Sequence, residues 1–303
     1  MPLIECIPNV SEGRRAEVID AIARAIRGAG VALLDVSRDA AHHRSVFTFA
    51  GEPDAVHRAV LAMFDAAIPA IDLRTHAGVH PRTGAVDVVP LVPLAGASLD
   101  DCAALARTIG AEVAAKFDLP VYLYEAAASA IHRRPLEQVR RGQFEGLAEK
   151  LQRAEWQPDF GPAVPHPTAG AAIVGARQPL IAFNVNLATD RLDVAKAVAR
   201  AVRYSSGGLP CVKALGLPLA DRGIVQVSMN LTDFRTTSMA DAFRAVAAEA
   251  AHHGVAVLES ELIGLVPAEA LAAAGAAALA LPRFTPEMLL EVQILAKSAG
   301  QRA

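Results

Sequence analysis

Apolar and polar positions follow two rhythms along this chain, one of two residues and one of nearly four, and the switches between them mark out its elements. Leu3 to Ile7 is a short apolar run closed by Pro8-Asn9, which reads as a strand. Val18, Ile22 and Ile26 then fall on an i, i+4 stripe. That stripe predicts a helix from Ser11-Glu-Gly13 to Ile26, with Ser11 as its N-cap. Val31–Val36 and Ser45–Phe49 are β-branched and apolar, two strands joined by the polar Ser37 to Arg44. Pro53 stands where proline is tolerated, at the start of a helix running to about Ile68. Val86–Val92 is a strand. Ser98-Leu-Asp-Asp101 opens a further helix, its acidic first turn complementing the dipole. Val121–Tyr124 reads as another strand, and the charged stretch Arg133–Ala154 as a helix with a solvated face.

From Trp156 to Gly175 the periodicity dissolves into proline, glycine and alanine, the composition of a linker. Beyond it come a strand at Leu180–Leu187, a helix at Asp193–Tyr204, strands at Val212–Leu217 and Ile224–Leu231, a helix at Met239–His253 and a strand at Val255–Leu265. The order β-α-β-β-α-β is ferredoxin-like, and the first part of the chain follows it as far as Val92. The expected fold class is therefore α+β: two ferredoxin-like (βαββαβ) α/β-sandwich domains, residues 1–175 and 176–303, with a ligand cleft between them. A last helix is expected over Pro286–Ala299.

Composition narrows the classes. Hydrophobic residues make up 53% of the 303 and the mean hydropathy is +0.31, which raises the question of a membrane. The alanine-rich run from Ala270 to Pro282 is shorter than the roughly 20 apolar residues a span needs. The opening residues lack the charged-then-apolar pattern of a signal peptide. The excess apolar surface is expected to be buried, part of it at a subunit contact. A net charge of −3 does not supply the broad basic surface of a nucleic-acid binder, though a local positive site for a small polyanion is compatible with it. Cys6, Cys102 and Cys211 are odd in number and set among apolar residues, the pattern of buried thiols rather than disulfides. A cytoplasmic protein without a membrane or nucleic-acid partner is expected.

The candidate chemistry gathers at His76-Ala-Gly-Val-His80-Pro-Arg82-Thr-Gly-Ala-Val-Asp87-Val-Val-Pro90. Pro81 pushes His80 into an extended conformation. A titratable imidazole on a stiff turn at a sheet edge can transfer protons, or can simply be solvated. His76 and His80 have the i, i+4 spacing of a metal pair, but Gly78 and Pro81 argue against the helix such a pair requires, so no metal is expected. Asp39 or Asp87 could orient an imidazole, and Asp87 could equally cap its turn. Arg44, Arg82 and Arg177 carry forks suited to carboxylates. Asn184 and Asn186 share one strand face, and Asn230 closes a neighbouring strand. These amides are either a solvated sheet face or donor–acceptor contacts to a heterocycle.

Several stretches resemble one family. His80-Pro-Arg-Thr-Gly-Ala-Val-Asp-Val is similar to the signature of the glutamate formiminotransferases, folate-dependent enzymes of histidine breakdown. The likeness extends through Glu5-Cys-Ile-Pro-Asn-Val-Ser-Glu-Gly13, Pro120-Val-Tyr-Leu-Tyr124, Pro158-Asp-Phe-Gly-Pro162, Gly175-Ala-Arg177, Leu180–Leu187, Val225–Leu231 and Gly264-Leu-Val-Pro267, in the family's order. The chain departs from the family at His43, where bacterial members commonly have asparagine, and at Thr83, where a larger apolar residue is usual. The resemblance implies transfer of a formimino group from N-formimino-L-glutamate to tetrahydrofolate, the co-substrate. His80 is the implied general acid and base, with Asp39, Arg82 and Asp87 supporting it. The implied substrate and folate contacts are Asn9, Ser11, His42, Arg44, Gly161, Pro162, Gly175, Arg177, Asn184, Asn186 and Asn230. It also implies a homodimer, and a cyclodeaminase on a separate chain where animal members carry one fused. Two alternatives stand beside it. One keeps the site and changes the chemistry, to formyl transfer from N-formylglutamate or cyclisation of 5-formyltetrahydrofolate. The other is a folate-binding protein without turnover.

Overall fold

The computed structural model describes residues 2–78, 81–278, Thr285 and Met288. The helix expected over Pro286–Ala299 falls, Met288 apart, outside them. The chain divides into two compact units, Met1–Gln178 and Pro179–Ala303. Both mix helices with a sheet.

The first unit runs β1 (Ile4–Cys6), β2 (Asn9–Val10), α1 (Ala16–Gly28), β3 (Ala32–Asp39), β4 (Arg44–Gly51), α2 (Pro53–Ala67), β5 (Val86–Pro93), α3 (Leu99–Phe117), β6 (Val121–Glu125), α4 (Leu136–Val139), α5 (Leu147–Leu151) and β7 (Ala172–Ala176). β1 and β2 are one strand interrupted at Ile7-Pro8, since both pair antiparallel with β4 on one side and β5 on the other. β3 pairs with β4 at one edge. Beyond β5 the sheet turns parallel, with β7 and then β6. Ile22, Ile26, Val60, Phe64, Ile109 and Val113 from α1, α2 and α3 bury with Phe47, Phe49, Leu91, Val121 and Val174 from the strands. Each such side chain contributes roughly 1.5–3 kcal/mol. The other face of the parallel part carries Val88, Tyr122, Tyr124 and Ile173, covered by Val139, Leu147, Leu151 and Trp156.

Three local expectations are corrected. Ser11 is not an N-cap. The first strand resumes after Pro8, and Ser11 stays with the sheet: its amide donates to the Ala85 carbonyl and its hydroxyl to the Gly84 carbonyl at 2.7 Å. The helix starts only at Ala16, and the buried Glu12 carboxylate accepts from the amides of Arg14 and Arg15. Arg133–Ala154 is not one helix. It breaks into α4 and α5 around Gly142, which has φ +92°. Its charges are not all solvated: Arg133 pairs with Asp159, and Lys150 donates to the carbonyls of Gln138, Val139 and Arg141 while lying 3.9 Å from the Trp156 ring centre. Finally, Trp156–Gly175 is not only a linker, because its end enters β7. Every residue of β7 is buried. A strand packed on both faces loses the alternation that would have revealed it.

The second unit runs β8 (Ile181–Leu187), α6 (Leu192–Val202), β9 (Val212–Leu219), β10 (Ile224–Leu231), α7 (Met239–His252), β11 (Val257–Ile263) and α8 (Ala268–Ala278). Its sheet order is β11-β8-β10-β9, all antiparallel. Phe183, Val185, Val198, Val227 and Val246 lie in its core. The sequence pattern did not anticipate α8.

Candidate active site

Three backbone segments converge in the first unit: the turn after β2, the turn between β3 and β4, and the loop leading into β5. Gly13 donates its amide to Nδ1 of His43 at 3.1 Å. His43 has φ +51°, and its side chain is 13% exposed. His76 stacks on it, ring centres 4.2 Å apart and planes 21° from parallel. Nε2 of His76 donates to the His43 carbonyl at 2.9 Å, and Nδ1 of His76 accepts from Nε of Arg82 at 3.0 Å. Arg82 is buried and forks onto Glu145, at 2.7 and 3.1 Å. The stacked pair lines a cavity of about 150 Å³ with Ser11, Glu12, Arg15, Ala70, Ile71, Asp72 and Thr75.

Charges around the pair set its protonation. Burial above all, with neighbouring positive charges, pulls His43 and His76 below the ordinary imidazole range; Glu12 opposes this in both, and in His76 the bond to the His43 carbonyl opposes it more strongly. Burial would raise the Glu12 carboxyl, but the amides of Arg15 and Arg14 and the Arg15 guanidinium outweigh it and hold the group low. Neutral imidazoles beside an ionised carboxylate are the ground state at neutral pH.

A second cluster joins residues singled out in the sequence. Arg44 donates to Oδ1 of Asn9 at 3.1 Å. Burial, and next the Arg140 charge, draw its guanidinium below the usual value, while Asp39 and Asp87 oppose them. Asp87 is 2% exposed; it accepts from the Thr83 and Gly84 amides and from Arg140 at 2.5 Å. Its first duty is therefore to the turn and to Arg140. Asp39 accepts from the backbone amide and from Nδ1 of His42, which hold its carboxyl low. Arg177 sits elsewhere, near Glu5 and Tyr124, and donates to the Gln178 carbonyl.

The remaining sequence candidates are dispersed. His80 lies outside the described residues. Gly161 and Gly175 have structural reasons to be glycine: a Cβ at Gly161, where φ is +84°, would strike the Leu119 carbonyl, and one at Gly175 would strike Tyr124. Pro162 follows Gly161 in the same turn. In the second unit Asn184, Asn186 and Gln226 lie on the sheet face opposite the core, and Asn186 accepts from Gln226 at 2.9 Å and donates to Glu259 at 3.0 Å. Asn230 is exposed on the same strand face as Gln226. Among the described residues no group of three or more His, Cys, Asp or Glu could hold a metal ion, and both nitrogens of His76 already have partners. Glu12, Arg14, Arg140 and Glu145 were not found by the sequence reading. Glu12 lay within a quoted motif, but nothing local ties Arg82 to Glu145.

Two family models meet this geometry. The N-terminal subdomain of the formiminotransferase domain matches residues 3–177, and the formiminotransferase domain matches residues 182–281. The chain belongs to the formiminotransferase family. It is 44% identical to a glutamate formimidoyltransferase of Streptococcus pyogenes over 270 residues, 89% of this chain and 90% of that one. It is also 44% identical to a glutamate formimidoyltransferase of Thermoplasma acidophilum, with the same coverage. The formimidoyltransferase-cyclodeaminase of Rattus norvegicus is 42% identical over 90% of this chain but only 52% of its own length. The stacked histidines and the Arg44–Arg140 cluster both belong to the formiminotransferase N-terminal subdomain.

Proposed function

We propose that this chain is a glutamate formimidoyltransferase, moving the formimino group of N-formimino-L-glutamate to tetrahydrofolate in histidine degradation. The observation that carries the reading is the likeness to two enzymes of that name along nine-tenths of their length. The site chemistry agrees with it. The reaction joins N5 of the folate to the formimino carbon, then breaks that carbon's bond to the glutamate nitrogen. A proton must leave N5 and another must reach the departing nitrogen. A neutral imidazole can do both, a contribution on the order of 10²–10⁴-fold. We assign that task to His80. Much of the remaining acceleration comes from holding two substrates together.

The supporting roles follow the described contacts. Arg82 serves His76, Asp87 serves Arg140 and Asp39 serves His42, so the three act on the frame of the site. Arg44, beside Arg140 and Asn9, is suited to a substrate carboxylate. Gly161, Pro162, Asn184, Asn186 and Asn230 remain proposed folate contacts, as do Ser11, His42, Gly175 and Arg177 for the substrates. The β-α-β-β-α-β order of the second unit is read as ferredoxin-like, and the first as the same order extended by β6 and β7. A cytoplasmic homodimer completes the proposal.

A product assay tests it. Purified protein with tetrahydrofolate should release glutamate from the formimino donor, and His80→Ala should lose most turnover while still binding folate. Release from N-formylglutamate alone would move the function to the formyl donor. Folate binding with no release from either donor would leave a binding protein.

A further inference from the structure

Three of the four ring nitrogens of His43 and His76 have partners in the first unit. Nδ1 of His43 accepts from the Gly13 amide and Nδ1 of His76 accepts from Nε of Arg82. Each ring therefore carries its proton on Nε2 when neutral. Nε2 of His76 spends that proton on the His43 carbonyl. Nε2 of His43 keeps its own, with no protein acceptor among the described residues. A second proton on either ring can go only to Nδ1, where a donor already points. Both rings are thus wired for the neutral state.

The same residues fix a stretch of backbone. Arg82 donates to the His76 carbonyl at 3.2 Å, besides its bonds to the ring and to Glu145. Arg14 spans the gap between two loops, donating to the carbonyls of Ala40 at 3.0 Å and Ala77 at 2.9 Å. His76-Ala77 is therefore held from the β3–β4 turn and from β5's approach, three residues before His80.

We propose that the stacked His43–His76 pair is a positioning device for the segment that leads to His80, and that it holds only while both rings are neutral. The idea rests on the formimidoyltransferase reading for its kinetic consequence, but not for its structural one. Protonation would set the His43 Nδ1 proton against the Gly13 amide, or the His76 Nδ1 proton against Arg82, and two cationic rings in a stack repel. A protonated His43 has one other acceptor at hand, Oε1 of Glu12, 3.5 Å from Nδ1. Turning to it would abandon Gly13. The charged groups facing the pair are Glu12, Arg14, Arg15 and Arg82, with Glu145 behind Arg82 and Asp72 on the cavity wall. The arginines disfavour a further proton and Glu12 favours it. Burial is the largest influence and acts with the arginines, outweighing Glu12 and, for His76, the bond to the His43 carbonyl, so both rings titrate below an ordinary histidine.

With the folded rings titrating below the unfolded histidines, the pair's contribution to stability is complete above about pH 6.5 and is lost as pH falls through the lower folded values. Turnover should fall over the same range.

The test uses the full chain with ¹⁵N-labelled histidine. At pH 7.5 NMR should find both rings neutral with the proton on Nε2, titrating below a histidine in an unfolded peptide. A proton on Nδ1, or a cationic ring at pH 7.5, overturns the proposal whatever the enzyme's activity. Kinetics supply the second arm. His76→Ala should lower kcat on the order of 10–100-fold while KM for both substrates moves little. His43→Asn retains an oxygen for the Gly13 amide and an N–H, but cannot titrate. It should lose turnover several-fold at pH 7.5 and shift the acid limb of its pH profile downward. An unchanged acid limb in His43→Asn, or an effect of His76→Ala on KM alone, would sink the positioning role. Should His76→Ala fail to fold, His43→Asn and the NMR titration still decide. Should the wild type transfer nothing, the function reading falls and the NMR arm still judges the pair.

Discussion

The two halves of this chain share an order of strands and helices, yet they treat the second face of the sheet in opposite ways. In the first unit Tyr122, Tyr124, Val88 and Ile173 are roofed by α4, α5 and Trp156. In the second, the face away from α6 and α7 carries Asn184, Asn186, Gln226, Ser228 and Asn230 on β8 and β10, flanked by Glu259 and Glu261 on β11. A sheet covered on both faces leaves no solvent for a charge that enters it. Arg133, Asp159, Asp87 and Lys150 are accordingly each bound to two or more fixed partners. A polar face can instead bond across its own strands and leave donors for something else. One half pairs its buried charges with fixed partners, and the other pairs buried amides across neighbouring strands.

The largest expected effect attacks the covered face. Asp159 accepts from the Leu123 amide at 2.8 Å, from Arg133 at 3.1 Å and from the Ser129 hydroxyl. Asp159→Ala strips the ionic partner from a buried guanidinium, which keeps only the Glu155 and Gln157 carbonyls, and should cost about 3–5 kcal/mol in urea unfolding of the first unit. A loss below about 1 kcal/mol would mean that water reaches Arg133 and that the face is not closed. The corresponding cut in the second unit is Asn186→Ala. It removes the acceptor of Gln226, which retains Glu261 at 3.3 Å. The expected cost is about 1–2 kcal/mol. Equal losses from the two substitutions would erase the contrast between the faces.

That contrast also explains what the sequence could and could not reveal. β8, β9, β10 and β11 were placed to within a few residues, because one polar face preserves the two-residue rhythm. β7 does not stand out from the linker, since Ala172–Ala176 is small, apolar and buried on both sides, and the break between α4 and α5 turns on Gly142 at φ +92°. In the site, local chemistry points to Asp39 and Asp87, and the family resemblance to Asn9 and Arg44; the fold sets Arg44 against Asn9 and within reach of the charges of Asp39, Asp87 and Arg140. It could not show that Arg82 is committed to Glu145, a partner 63 positions away, nor that His76 and His43 stack. Those pairings exist only once the β3–β4 turn meets the loop before β5. His43 was noticed as a departure from a family pattern, and its geometry gives that departure a physical consequence.

The smallest expected effect is one in which the halves should agree. Ser98 caps α3, accepting from the Asp101 amide at 3.1 Å, while the Asp101 carboxylate accepts from the Ser98 amide at 2.9 Å. Ser238 and Asp241 repeat the arrangement at α7, with distances of 3.1 and 3.4 Å. A capping serine satisfies an amide that the helix cannot, whichever face of its sheet is covered. Ser98→Ala and Ser238→Ala should therefore each cost about 1 kcal/mol. Unfolding must be followed separately for each unit, with Trp156 fluorescence reporting on the first and far-ultraviolet circular dichroism on the whole. If Ser238→Ala cost nothing while Ser98→Ala cost the full amount, α7 would already fray in the native state. The polar face would then rest on a loosely held sheet, and its amides would be poor candidates for fixing a ring in one orientation. Matched losses mean that both helices are equally anchored, so the difference between the halves lies in what covers their sheets and not in how firmly the elements are built.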